Sequence, residues 1–104
     1  MTPKPINTAH LAKVMKALSS PKRLELYLDI VKKNESCYKT GSECFLTDII
    51  RSCDLGAPTV SHHLKELTNA GLISTERRGK YLVATVNHET VEEVRALLLV
   101  GRQK

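Results

Sequence analysis

Apolar side chains recur along this chain first at the spacing of helices and then, late in the sequence, at alternate positions. Leu11, Val14, Met15 and Leu18 fall at i, i+3, i+4 and i+7, so they share one face of a first helix. Asn7 or Thr8 stands where a capping oxygen would take up the free N–H groups of its first turn. Ser19-Ser20-Pro21 starts a second helix, with Ser20 as cap and Pro21 in the first helical position. Leu24, Tyr27, Leu28 and Val31 form its apolar stripe, which fades at Lys32-Lys33-Asn34. From Asn34 to Glu43 no period survives, and a loop of about ten residues is expected.

Helical spacing resumes near Phe45 to Thr47 and runs to about Cys53, with Ile49, Ile50 and Cys53 on one face. Asp54-Leu55-Gly56 breaks that third helix. Ala57-Pro58-Thr59 opens a fourth, which runs to Ala70 with Val60, Leu64 and Leu67 in line and Gly71 as its terminator. Leu72 to Arg77 and Tyr81 to Val86 then read as two strands joined by the hairpin Arg78-Gly79-Lys80. A last helix is expected from Thr90, where Thr90-Val91-Glu92-Glu93 matches a capping box. The predicted fold is mainly α with a small β-hairpin, in the order α-α-α-α-β-β-α. One domain over residues 7–101 is expected, flanked by a flexible arm (1–6) and a tail (102–104).

Composition adds bounds. A chain of 104 residues is one domain with a modest core, and 41% hydrophobic against 26% charged residues is the balance of an ordinary folded protein. No apolar run approaches the ~20 residues that a membrane helix needs. The first residues carry no apolar stretch of a secretory signal, so a cytoplasmic location and no membrane contact are expected. A net charge of +5 suits a polyanionic partner.

Helix, short glycine-containing turn, helix and basic hairpin is the layout of a winged helix-turn-helix. On the fourth helix, Val60, Leu64 and Leu67 face inward, which leaves Thr59, Ser61, His62, Lys65 and Glu66 outside. Thr59, Ser61, His62 and Lys65 can each donate a hydrogen bond, as reading base edges or gripping phosphates requires. His63 borders the apolar stripe and reads equally as a DNA contact or as a structural histidine. Arg77, Arg78 and Lys80 crowd the hairpin tip, where three cations make a clamp for phosphates or a minor groove. The partner implied is double-stranded DNA.

The last helix carries Leu97-Leu98-Leu99-Val100, four apolar residues that point in all directions around a helix. One small core cannot cover them all, and a second copy of the chain is the economical cover. Such a homodimer would set two recognition helices about 34 Å apart, one turn of DNA.

With these elements placed, the chain resembles the ArsR/SmtB family of bacterial metal- and stress-responsive repressors. The likeness lies in ALSSPKRLELYLDIV (Ala17 to Val31) and in APTVSHHLKELTNAGLISTERRGKYLVATV (Ala57 to Val86), which is similar to the family's recognition helix and wing. The resemblance implies a homodimer built on the first and last helices. It implies a repressor of an operator with inverted symmetry that lets go when an effector binds. ECFLTDI (Glu43 to Ile49) lines up with the family's third-helix metal motif, but Phe45 and Thr47 stand where that motif has cysteines. The alternative family site, on the last helix, finds only His88 and Glu89 here.

Three cysteines remain. Cys53 shares a face with Ile49 and Ile50, so it reads as a small core residue or as a ligand. Cys37 and Cys44 fall in the expected loop, where packing does not call for sulfur. Cys44 also precedes the third helix, whose positive end favours thiolate. Together with the resemblance, Cys37, Cys44 and Cys53 suggest a trigonal site for a soft effector ion such as As(III) or Sb(III). Two thiols alone would instead make a reversible disulfide switch in a redox-sensing repressor of the same fold. No organic cofactor is expected. Enzymatic activity is not expected either, since no serine-hydrolase elbow, phosphate-cradling loop or H-E-x-x-H helix is present.

Overall fold

Asn7 caps the first helix, its side-chain oxygen accepting from the His10 backbone N–H at 3.1 Å. In the computed structural model, which describes residues 7–41, 57–79 and 81–99, this is α1 (Thr8–Ala17). Ser20 caps α2 (Pro21–Thr40) by accepting from the Arg23 N–H at 3.3 Å, with Pro21 at its start as expected. The recognition helix is α3 (Ala57–Asn69), followed by β1 (Ile73–Arg78), β2 (Tyr81–Val86) and α4 (His88–Leu99). The helix expected from Phe45 to Cys53, the breaker at 54–56, the arm at 1–6 and the tail at 102–104 lie outside the described residues.

The second helix is longer than its apolar pattern suggests. It continues through Asn34 to Thr40 and closes on Gly41, which takes φ +74° as a left-handed cap. The polar residue read as a helix end is an inward-facing anchor. The Asn34 amide nitrogen donates to the Ala84 carbonyl at 3.1 Å, and its oxygen accepts from the Val86 N–H at 2.9 Å. One asparagine therefore satisfies two backbone groups of β2 and ties the hairpin to α2.

The stripe of α2 that is buried is also rotated from the expected one. Leu26, Tyr27, Ile30 and Cys37 enter the core, while Leu24 and Leu28 are exposed. Leu26, Ile30, Asn34 and Cys37 fall at i, i+4, i+8 and i+11, a continuous face once Asn34 counts as an inward position. Around it pack Val14 and Ala17 of α1, Val60 and Leu67 of α3, then Leu72, Ile73, Ala84 and Val86.

Two features favour glycine at residue 71. The recognition helix ends in a Schellman motif, with Gly71 N–H on the Thr68 carbonyl at 3.0 Å and Leu72 N–H on the Leu67 carbonyl at 3.0 Å. Gly71 takes φ +79°, and a Cβ there would meet the His10 Nε2 at 3.3 Å. The expected capping box at Thr90 is corrected: Asn87 caps α4, its oxygen accepting from the Glu89 N–H at 3.1 Å. Thr90 is buried one turn later and donates its hydroxyl to the Gly71 carbonyl at 2.7 Å.

The strands pair antiparallel from Ile73 opposite Val86 to Arg78 opposite Tyr81. Only Gly79, at φ +63°, and Lys80 separate them, the positive φ being what tight hairpins require. Among the described residues no helix is long and apolar enough to cross a membrane.

Candidate nucleic-acid interface

The recognition helix divides cleanly into two faces. Val60, His63 and Leu67 are buried at i, i+3 and i+7, with Leu64 half-buried beside them. Thr59, Ser61, His62 and Lys65 are exposed, so the structure places these four expected donors together on the outside. Glu66 is half-buried.

His63, included above among the candidate contacts, is corrected to an inward position. It is 8% exposed, and its Nδ1 accepts from the Arg23 Nε at 3.4 Å. The same guanidinium donates to the Ala17 carbonyl at 3.1 Å, so Arg23 joins the end of α1 to the recognition helix. The sequence singled out Arg23 only as part of a longer stretch; its six-residue distance from Ala17 gives no periodic signal. Burial holds the His63 imidazole below its ordinary value, with Arg23 and then His62 pushing the same way. A neutral ring is the form that accepts from Arg23. The stability His63 contributes is thus present above the ordinary histidine range and is lost as pH falls through the depressed value. His63→Gln is expected to flatten the fall of Tm on acidification from about pH 7 to about pH 5, as read by circular dichroism beside the unaltered protein.

At the hairpin, Arg77 and Arg78 are exposed, and the register sends them to opposite faces. Arg77 lies opposite Leu82, on the side of Ile73 and Ala84, while Arg78 lies opposite Tyr81. The Arg78 guanidinium also donates to Glu76 Oε1 at 3.3 Å. The Lys80 side chain falls outside the described residues.

Cys37 is corrected too. It sits in the last turns of α2 rather than in a loop, is 8% exposed and belongs to the core cluster. Packing therefore gives this sulfur a reason that the polar sequence around it conceals. Cys44 and Cys53 lie outside the described residues. Among the described residues no three histidine, cysteine or acidic side chains converge to hold a metal ion, and the one buried thiol does not by itself fit a trigonal ion. His88 and Glu89 are exposed at the start of α4.

Residues 18–76 match the model of a helix-turn-helix domain family, a span that runs from the end of α1 through most of β1. The chain is 31% identical to the arsenical resistance operon repressor of Staphylococcus xylosus, over 81% of this chain and 72% of that one. The chain belongs to the ArsR/SmtB family. An ArsR-like transcriptional regulator from Rhodococcus sp. RHA1 superposes with a TM-score of 0.66 at 20% identity, covering 90% of this chain and 81% of that one. The homodimeric winged helix-turn-helix DNA-binding domain of a Mycobacterium bovis protein gives 0.64 at 23% identity, covering 96% and 88%. Family and fold are those of transcriptional regulators, not of enzymes.

Proposed function

We propose that this ArsR/SmtB protein is a homodimeric repressor of an operator with inverted symmetry. Thr59, Ser61, His62 and Lys65 enter the major groove, while Arg77, Arg78 and Lys80 hold the flanking backbone or minor groove. The observation that carries this reading is the gathering of four hydrogen-bond donors on the open face of α3, opposite its buried stripe. The net charge of +5 supports it. Met15 on α1 and Leu98 and Leu99 on α4 are exposed, Leu98 to 74%, and apolar surface of this kind supports pairing through those helices.

The release signal is a thiol-reactive effector, arsenite, antimonite or another soft ion, engaging Cys37, Cys44 and Cys53. What supports it is the name of the Staphylococcus xylosus relative together with the three cysteines. Burial sets a condition on Cys37. Its thiol becomes accessible only if the end of α2 loosens from the core, next to the Asn34 anchor that carries β2.

Gel-shift titration on the promoter of its own operon tests both parts, with arsenite, antimonite, zinc, cadmium and peroxide in parallel lanes. Retardation that fades with salt and is released by a metalloid or metal but not by peroxide is the expected result. Release by peroxide alone would replace the soft ion by a disulfide. Normal release from Cys37→Ser and Cys44→Ser variants would remove the cysteines from the sensor. Failure to retard any duplex at low salt would overturn the repressor itself.

A further inference from the structure

His10 sits where three helices meet, and both of its ring nitrogens face acceptors. Nδ1 lies 3.0 Å from Glu93 Oε2 on α4, and Nε2 lies 3.1 Å from the Ala70 carbonyl at the end of the recognition helix. Neither a carboxylate nor a carbonyl oxygen can donate. A neutral imidazole carries one N–H and serves one of them; only the imidazolium serves both. The Ala70 carbonyl belongs to the negative end of α3, a further attraction for a cation.

The junction is otherwise closed. The Gly71 carbonyl accepts from the Thr90 hydroxyl at 2.7 Å and from the Asn87 amide at 2.9 Å, so α4 holds the chain just past α3. A Cβ on Gly71 would meet Nε2 at 3.3 Å, so any larger residue there would press the ring away by a few tenths of an ångström. Charged and titratable groups face His10 from two elements: Glu93 from α4 and Lys13 from its own helix. The end of α3 offers only the backbone carbonyl.

We infer that His10 is a positioning residue for DNA binding, its doubly protonated ring clamping the end of the recognition helix to α1 and α4, so that operator affinity falls as this proton is lost. This inference rests on the proposed repressor function. Helices α1 and α4 carry the apolar surface assigned to the dimer, and the clamp fixes α3 against that frame. It thereby sets how the two recognition helices of a dimer are held relative to one another. The bond to Glu93 is the largest influence on the ring and raises its proton affinity; burial opposes it, the Ala70 carbonyl adds to it, and Lys13 acts weakly against it. With the folded value raised, the clamp is complete below the ordinary histidine range and is lost as pH rises through the raised value.

The test is fluorescence anisotropy on the operator duplex and a scrambled duplex of equal length, at about pH 6 and about pH 8 and constant ionic strength, bracketing the histidine range. The unaltered dimer should lose about fivefold or more of its operator affinity across that interval, the scale of a modest coupling. His10→Gln and Glu93→Gln should lose much less, both starting near the weaker value. The other histidines are the same in all three proteins, so the difference between them isolates the clamp. Circular dichroism establishes that each variant is folded; should His10→Gln not fold, Glu93→Gln carries the comparison. A proton titration of the His10 ring by NMR, which needs no DNA, should place it above the ordinary histidine value. Equal pH slopes in all three proteins, with the operator still bound, would overturn the clamp alone. No binding to either duplex by any form would overturn the repressor reading and this inference with it.

Discussion

Replacing Arg77 and Arg78 together by glutamine is expected to weaken binding to every duplex, by about two orders of magnitude at low salt. The effect is nearly independent of sequence because cations at a hairpin tip meet phosphate or groove width rather than individual base edges. Each cation that neutralises a phosphate adds about one to the slope of log affinity against log salt, so four fewer per dimer should flatten it by about 4. Anisotropy titrations at three salt concentrations read this directly. An unchanged slope would place the wing away from the backbone and leave duplex affinity to α3.

The second large effect is on stability. Asn34→Leu is expected to cost about 1–3 kcal/mol, since the Val86 N–H and the Ala84 carbonyl lose their side-chain partner at once. For a chain of this size that lowers Tm by roughly 4–8 °C per kcal/mol, compared at one protomer concentration because dimerisation shifts Tm by mass action. Asn34→Asp separates the two bonds: a carboxylate still accepts from Val86 but cannot donate to Ala84. Thermal unfolding followed by circular dichroism distinguishes the three proteins. A change in Tm below about 1 °C for Asn34→Leu would show that α2 holds the hairpin by apolar contacts alone.

That asparagine also marks where the sequence misleads. Pattern reading treats polar residues as outward, so Asn34 looks like the end of a helix and Cys37 like a loop thiol. In the fold the helix continues, because Asn34 spends its polarity on strand backbone and Cys37 packs one turn further on. The same error rotates the expected stripe of α2 onto Leu24 and Leu28 instead of Leu26 and Ile30. Thr90 misleads in the other direction: its spacing to Glu93 imitates a cap while its hydroxyl serves Gly71, nineteen residues back. The recognition helix and hairpin were legible because the helix repeats at its own period and the strands alternate, and Gly71 and Gly79 punctuate both at positive φ. His10 left no trace in any pattern. Its partners lie 60 and 83 residues away, and only the assembled helices bring them together.

The pairing of the two strands has a consequence for how such a ribbon can vary. Side chains in a paired strand alternate between faces, counted outward from the seated Ile73, so one residue inserted between Ile73 and Arg77 would swap Arg77 and Arg78 between the inner and outer sides, whereas one added at the tip would leave both in place. With both faces kept, the strand below the arginines can therefore lengthen or shorten only in steps of two, unless a bulge absorbs the odd residue. The ribbon's rooted end, from Ile73 to Val86, stays seated in either event.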